Sequence, residues 1–520
     1  MTNQLVLSEH LQETTTLISN DQIVRYGTQS YHEKFEYQDI ASEIRVLATY
    51  ATPIIGTHLL ENSLLIVSVI SVGHLGTIEL AAASLANITA NCGAISINIG
   101  FASALDTLCT QAFTSGNPSR TSHYAMRTLL ILCLFLVPEF IFFWNAEAIF
   151  LLLQQNPPVA QKASQYLRVL SFGLPGYAVF EVTRRWLQSQ RLMLPPTIIV
   201  LFVAPLNVFL SYLMVWGPET TRIGFIGAPL ATAISFTLMG FLGVLYCIFF
   251  APKTAWGGFT RDIFRDLGTN FKLGLSGFTM VASEWWCWEI IGIASSLLGP
   301  STLAAQSIIT AISTLLFQFP YATAAAAAVR CGNFLGEGLA QKSKLAAYSA
   351  FALGIIVGTI NMTFMVCFRR VLGNLFSSER EVVDIVADVL PLVALFQIPD
   401  GLSVVLSGVL RGVGKPNIGA LINAAGYYVV GLPIGLALTF STLNLGAYGL
   451  WMGMTAAMTS TSIIFTIYVS NMSFEKVMIK SRARMDKFDF ITGQNNVINN
   501  SNINHFDQNS KYAGSYGSCN

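Results

Sequence analysis

The chain has 520 residues, of which 53% are hydrophobic and 11% charged, and a formal net charge of +1. Soluble domains carry about 25% charged residues, so the composition excludes an ordinary soluble globule and points to a polytopic membrane protein. The near-zero net charge offers no basic field for nucleic acid.

Residues 1–43 read as a polar cytoplasmic tail without the apolar core of a cleavable signal peptide. Twelve apolar segments follow, each long enough for the ~20 residues that a bilayer crossing needs. Their approximate spans are 44–73, 79–104, 123–145, 164–184, 195–216, 224–250, 268–298, 302–326, 343–368, 382–408, 416–440 and 446–471. The stretch 251–267, with Pro252, Gly257 and Gly258, reads as a cytoplasmic linker between residues 44–250 and 268–471. Beyond residue 472 the chain turns basic and then Asn-rich, from Asn495 to Asn504, and reads as a disordered cytoplasmic tail.

Lys and Arg set the expected orientation. The loops after even-numbered segments and the helix ends beside them hold fourteen, among them Arg120, Arg184, Arg185, Arg330 and Arg411. The loops after odd-numbered segments hold six. Both termini are therefore expected in the cytoplasm.

An internal repeat fixes the expected architecture. Leu75-Gly76…Leu80-Ala81-Ala82…Ser84 recurs as Leu298-Gly299…Leu303-Ala304-Ala305…Ser307. Gln111–Gly116 is echoed by Asn333–Gly338, Pro175 by Pro399 and Pro195 by Pro416, all at offsets of about 222 residues. The fold class is thus all-α: twelve transmembrane helices in two six-helix lobes related as a parallel repeat, with the substrate site between or within the lobes. Two lobes in one chain need no second copy.

The seventh segment holds Glu284-Trp285-Trp286-Cys287-Trp288-Glu289. A carboxylate at bilayer depth costs about 2.5–3.5 kcal/mol on insertion scales, so such groups mark proton or ion paths. Five residues apart, Glu284 and Glu289 sit about 140° apart on a helix, so one is expected in the main cavity and the other against a neighbouring helix. Trp285 and Trp288 are expected beside them, where aromatic faces attract organic cations. Asp400 follows Pro399 midway along segment 10, where the proline opens the helix. Glu61 stands at the repeat position of Glu284 and reads either as an acidic site of the first half or as a partner of Asn62 or His58. Tyr428 is a further candidate for the cavity wall. Glu181 is expected to pair with Arg184 or Arg185 at i+3 and i+4, and Asp106 with such an Arg. Glu139 has no assigned role. The eight cysteines are scattered without a Cys-x-x-Cys pair and read as packing residues, so neither a metal site nor a disulfide is expected. No metalloprotease, Walker A or nucleophile-elbow motif occurs, so the chain does not read as an enzyme, and any pumping is expected to draw on an ion gradient. Asn87-Ile88-Thr89 is a glycosylation sequon inside an apolar span and is discounted.

These residues resemble the multidrug and toxic compound extrusion (MATE) transporters of eukaryotes over about residues 44–471. The strings that carry the resemblance are Val72–Gly76, Ala104–Ala112, Glu284-Trp285-Trp286…Glu289, Gly408–Gly414 and Gly426–Gly435. The resemblance implies a V-shaped cleft between lobes, export by alternating access and a proton as counter-ion, with no other cofactor. It matches Glu284 and Glu289 to the family's segment 7 acids and Asp400 to its segment 10 acid, whereas Glu61 falls where many members carry an amide. The expected function is a proton-coupled antiporter exporting small cationic or amphipathic organic compounds from a plasma or vacuolar membrane. The rivals are a sodium-coupled exporter and a lipid or glycolipid flippase. A flippase needs basic groups at mid-span for phosphates, and the sequence places none there.

Overall fold

The computed structural model describes residues 37–376, 379–441 and 445–492, and every regular element among them is helical. The first lobe contains α1 (Tyr37–Gly73), α2 (Thr77–Phe113), α3 (Arg120–Trp144), a short α4 (Ala146–Leu152), α5 (Pro157–Ser171), α6 (Leu174–Ser189), α7 (Leu194–Trp216) and α8 (Gly227–Phe249). The second contains α9 (Leu267–Ser296), α10 (Pro300–Glu337), α11 (Ala340–Phe376), α12 (Arg380–Gly412), α13 (Pro416–Phe440) and α14 (Ala447–Ser470). A last helix, α15, covers Phe474–Thr492.

Ten of these helical runs are apolar and long enough to cross a bilayer on composition alone. The two remaining expected spans are the α5–α6 pair and α9, the elements that carry Glu181, Arg184, Arg185, Glu284 and Glu289. The α5–α6 pair is split at Phe172-Gly173 into helices of 15 and 16 residues, each too short to cross alone, whereas α9 has the length and its polar and charged residues lower its apolar signal. Elsewhere Leu134, Ile141, Phe202, Phe241 and Ile467 face outward, while alanines such as Ala82, Ala86, Ala326 and Ala347 are buried. Small inward residues are what lets helices pack closely where lipid supplies no hydrophobic drive.

The repeat is visible atom by atom. Cys109 Sγ donates to the Thr121 carbonyl at 3.3 Å, and Cys331 Sγ donates to the Ser343 carbonyl at 3.6 Å, each across twelve residues. Gln111 Nε2 donates across the lobes to the Gly412 carbonyl at 2.8 Å. Asn333, with its amide oriented to satisfy its neighbours, returns the contact to the Ser189 carbonyl at 3.2 Å.

The lobes interlock at the end that carries the basic loops. The first half of α1 packs against α10 and α11, with Leu47, Ala51 and Ile54 in one core with Ala326, Ala346 and Ala350. Its counterpart, the first half of α9, packs against α2 and α3. There Phe271 lies 5.6 Å from Phe101, and Asn270 donates to the Tyr124 carbonyl and to Thr128, both at 3.1 Å. Backbone meets backbone at Gly100, where a Cβ would stand 2.3 Å from the Phe278 Cα. Gly100→Ala is therefore expected to oppose this closure by about 1–3 kcal/mol, the usual cost of overpacking. Spin labels on Lys253 and Lys342, exposed at the basic end of opposite lobes, are expected to move apart in that variant.

The C-terminal region corrects an expectation. Disorder was expected from residue 472, yet Phe474–Thr492 is helical, with Phe474, Val477, Met478 and Met485 buried. The reason is their spacing, which puts them on one stripe among the basic residues. The expected linker 251–267 is likewise pinned down. Thr121 Oγ1 donates to the Ala255 carbonyl at 3.1 Å, and Arg127 Nη2 donates to the Asp262 carbonyl at 2.8 Å. The Asn-rich stretch and most of the polar N-terminal tail lie outside the described residues; α1 already begins at Tyr37.

Candidate functional site: a carboxyl-lined cavity between the lobes

Above the basic-end closure lies a cavity of about 300 Å³ walled by both lobes. The first lobe contributes His58, Glu61, Asn62, Asn91, Cys92 and Tyr177, and the second contributes Glu284, Trp285, Trp288, Glu289, Phe317, Tyr321, Phe396 and Asp400. A second chamber of about 30 Å³ touches the first at Glu284 and Tyr321 and continues to Ser407, Arg411, Asn423 and Tyr427. Such a volume suits one or two waters where polar groups line it.

The cavity gathers all three predicted coupling acids. Glu284 and Glu289 both line it, which corrects the expectation that one of them reaches a neighbouring helix. The cavity wall wraps far enough around α9 to meet both faces, and Trp285 and Trp288 line it as expected. Asp400 is buried and reaches the cavity from α12, one residue after Pro399. Tyr428 does not line either chamber; Tyr427 does. The cause is the π turn at Ala425–Gly431, whose extra residue per turn rotates the pair relative to a regular helix. Tyr428 instead packs on the core around Trp288 and Trp451.

The two lobes treat their acids differently. In the first lobe every acid near the cavity floor is neutralised. Glu61 accepts from Arg184 Nη1 at 2.9 Å and lies 3.5 Å from His58 Nδ1. Arg184 also pairs with Glu181, and Arg185 Nε lies 3.7 Å from the same carboxylate. Arg185 Nη1 donates to both oxygens of Asp106, at 2.8 and 2.7 Å. Asp106 then reaches across the lobes to Arg411 Nε at 3.3 Å. Glu181 and Asp106 thus have the structural roles expected of them, and Glu61 pairs with His58 as one of its two readings held. Glu284, Glu289 and Asp400, by contrast, form no ion pair among the described residues. The cavity lining contains no Lys or Arg among the described residues. Glu139 lies elsewhere, buried in α3, with neither oxygen hydrogen-bonded among the described residues.

Sequence reasoning named His58 beside Glu61 and Arg184 beside Glu181, but it missed the contacts of His58 with Tyr321, of Arg184 with Glu61 and of Arg411 with Asp106. His58 meets Tyr321 of the other lobe edge-on, with ring centroids 4.8 Å apart. Its signal was its place three residues before Glu61. Arg184 is 123 positions from Glu61 and Arg411 is 305 from Asp106, and no local pattern links such pairs.

Comparison with known proteins places this geometry. The MatE family model matches residues 53–213 and again 278–437, one copy per lobe. An uncharacterized transporter of Schizosaccharomyces pombe is 40% identical over 428 residues, 82% of this chain and 79% of its own length. Multidrug and toxin extrusion protein 1 of Danio rerio is 34% identical, over 84% of this chain and 73% of its own. A crystal structure of a eukaryotic MATE transporter superposes with a TM-score of 0.81 at 29% identity, covering 86% of this chain and 99% of that one. Doubled family match, curated relatives and shared fold agree that the chain belongs to the MATE family of multidrug and toxin extrusion transporters, as a multi-pass membrane protein and not an enzyme.

Proposed function

We propose that the protein is a proton-coupled antiporter that exports small cationic or amphipathic organic compounds by alternating access. The observation that carries this reading is the convergence of three unpaired carboxyl groups, Glu284, Glu289 and Asp400, on one cavity between the lobes. The first-lobe acids beside the cavity floor, Glu61, Glu181 and Asp106, are already held by arginines and have no charge to spare. Trp285, Trp288, Phe317 and Tyr321 supply aromatic faces for an organic cation next to those carboxyl groups. Proton binding at a carboxyl removes the attraction that holds the cation, and the cation leaves. Reorientation then exposes the protonated site to the opposite compartment, where losing the proton restores the site. The same charges are used twice, which ties the two fluxes together.

The excess of Lys and Arg at the closed end assigns that end, and the C-terminal helix with it, to the cytoplasm. The structure then corresponds to a state sealed toward the cytoplasm. The reading is tested by efflux of a fluorescent organic cation from reconstituted vesicles, under a proton gradient alone and then a sodium gradient alone. Efflux driven by the proton gradient and not by sodium is the expected result. Efflux driven only by sodium would transfer the coupling to that ion.

A further inference from the structure

The helix α15 lies outside both copies of the family match and follows the last membrane span. It grips the second lobe along its length. Phe474, Val477 and Met478 join the core formed by α1, α10 and α11. Glu475 accepts from Gln341 Nε2 at 2.8 Å, and Arg484 lies against Gly414, where a Cβ would stand 3.0 Å from its Nη2. It also reaches the first lobe. The Ser481 hydroxyl, on a residue only 1% exposed, donates to Gln111 Oε1 at 2.6 Å. The same amide donates through Nε2 to the Gly412 carbonyl. One side chain at the end of α2 therefore holds both the end of α12 and the middle of α15.

The repeat gives this helix a counterpart. The linker 251–267 covers the start of α3 after the first lobe, and α15 covers the start of α11 after the second. The linker is tied to a membrane span at each end, whereas among the described residues α15 is tied only at its first, and it continues into residues outside the described set. Of the two covers, it is the one that no later membrane span among the described residues anchors.

We propose that α15 is a clamp on the cytoplasm-closed state, with Ser481 and Gln111 as its catch. Opening the basic end separates α2 from α12 and so breaks the Gln111–Gly412 contact. Ser481 cannot then keep both its hydrogen bond to the first lobe and the packing of Phe474, Val477 and Met478 on the second. The Ser481–Gln111 hydrogen bond of the docked helix is thus available to the closed state alone, and its loss accompanies each opening. This rests on the alternating-access part of the reading above.

The test uses the full chain with its native cysteines replaced and spin labels at positions 253 and 342, measured in detergent or nanodiscs without substrate or gradient. Ser481→Asp places a charge in the buried slot against the Gln111 oxygen, which burial penalises strongly. It is expected to raise the ratio of long to short distances about tenfold or more. Ser481→Ala removes only the hydroxyl and is expected to raise it about threefold to tenfold, the scale of one net hydrogen bond. If the Asp variant does not fold, the Ala variant decides. A distance distribution identical to the parent in a folded variant overturns the clamp. Because no transport is measured, that result with intact proton-driven efflux rejects the clamp and leaves the antiport reading standing.

Discussion

Glu284→Gln is expected to bring pH-driven efflux of a fluorescent cation to the level of protein-free vesicles while leaving the protein folded. The amide keeps the size and polarity of the side chain and cannot exchange a proton, so only the titrating function is lost. No ion pair is broken, because none engages Glu284 among the described residues. Thermal stability in detergent is therefore expected to change by no more than about 1 kcal/mol, the scale of a single neutral hydrogen bond. Undiminished efflux in that variant would remove Glu284 from the coupling site. Loss of efflux together with loss of folding would reduce it to a structural residue.

Asp106→Asn is expected to do the reverse. Asp106 is buried and holds Arg185 from its own lobe and Arg411 from the other. Removing its charge leaves the buried Arg185 and the partly buried Arg411 guanidinium groups facing an amide, and breaking a buried pair in this way costs about 3–5 kcal/mol. The Thr107 hydroxyl, which donates to the Arg411 carbonyl, is not enough to hold that end of α12 alone. A marked drop in melting temperature and in the fraction that is monodisperse in detergent is the expected outcome. A fully stable Asp106→Asn protein would mean that the Arg411 contact contributes little to closure. Set side by side, the two variants separate acids that titrate from acids that brace.

The fold was legible in the sequence because its signals are local or periodic. Apolar runs marked the spans, and the offset of about 222 residues between Gln111 and Asn333 marked the two lobes. Glu284 and Asp400 were legible for a related reason, since an acid in an apolar run has few structural uses. What stayed hidden depends on distance along the chain or on a change of helical pitch. The pairing of Glu61 with Arg184 cannot be read from either residue's neighbours. The exchange of Tyr428 for Tyr427 follows from a π turn that leaves no mark in hydropathy. The C-terminal helix was hidden by its composition. Phe474, Val477, Met478, Ser481 and Met485 repeat at helical intervals, but the basic residues between them hide the pattern in any averaged composition.

The way α1 and α9 cross over has a consequence for biosynthesis. The early part of α1 finds its packing partners on α10 and α11, some 280 residues later in the chain. While the ribosome is still making the second half, Leu47, Ala51 and Ile54 lack most of the core that they join in the finished protein. The nascent first half must therefore wait in the membrane with an unfinished seam, and it is at this stage that the insertion machinery or a membrane chaperone has something to protect.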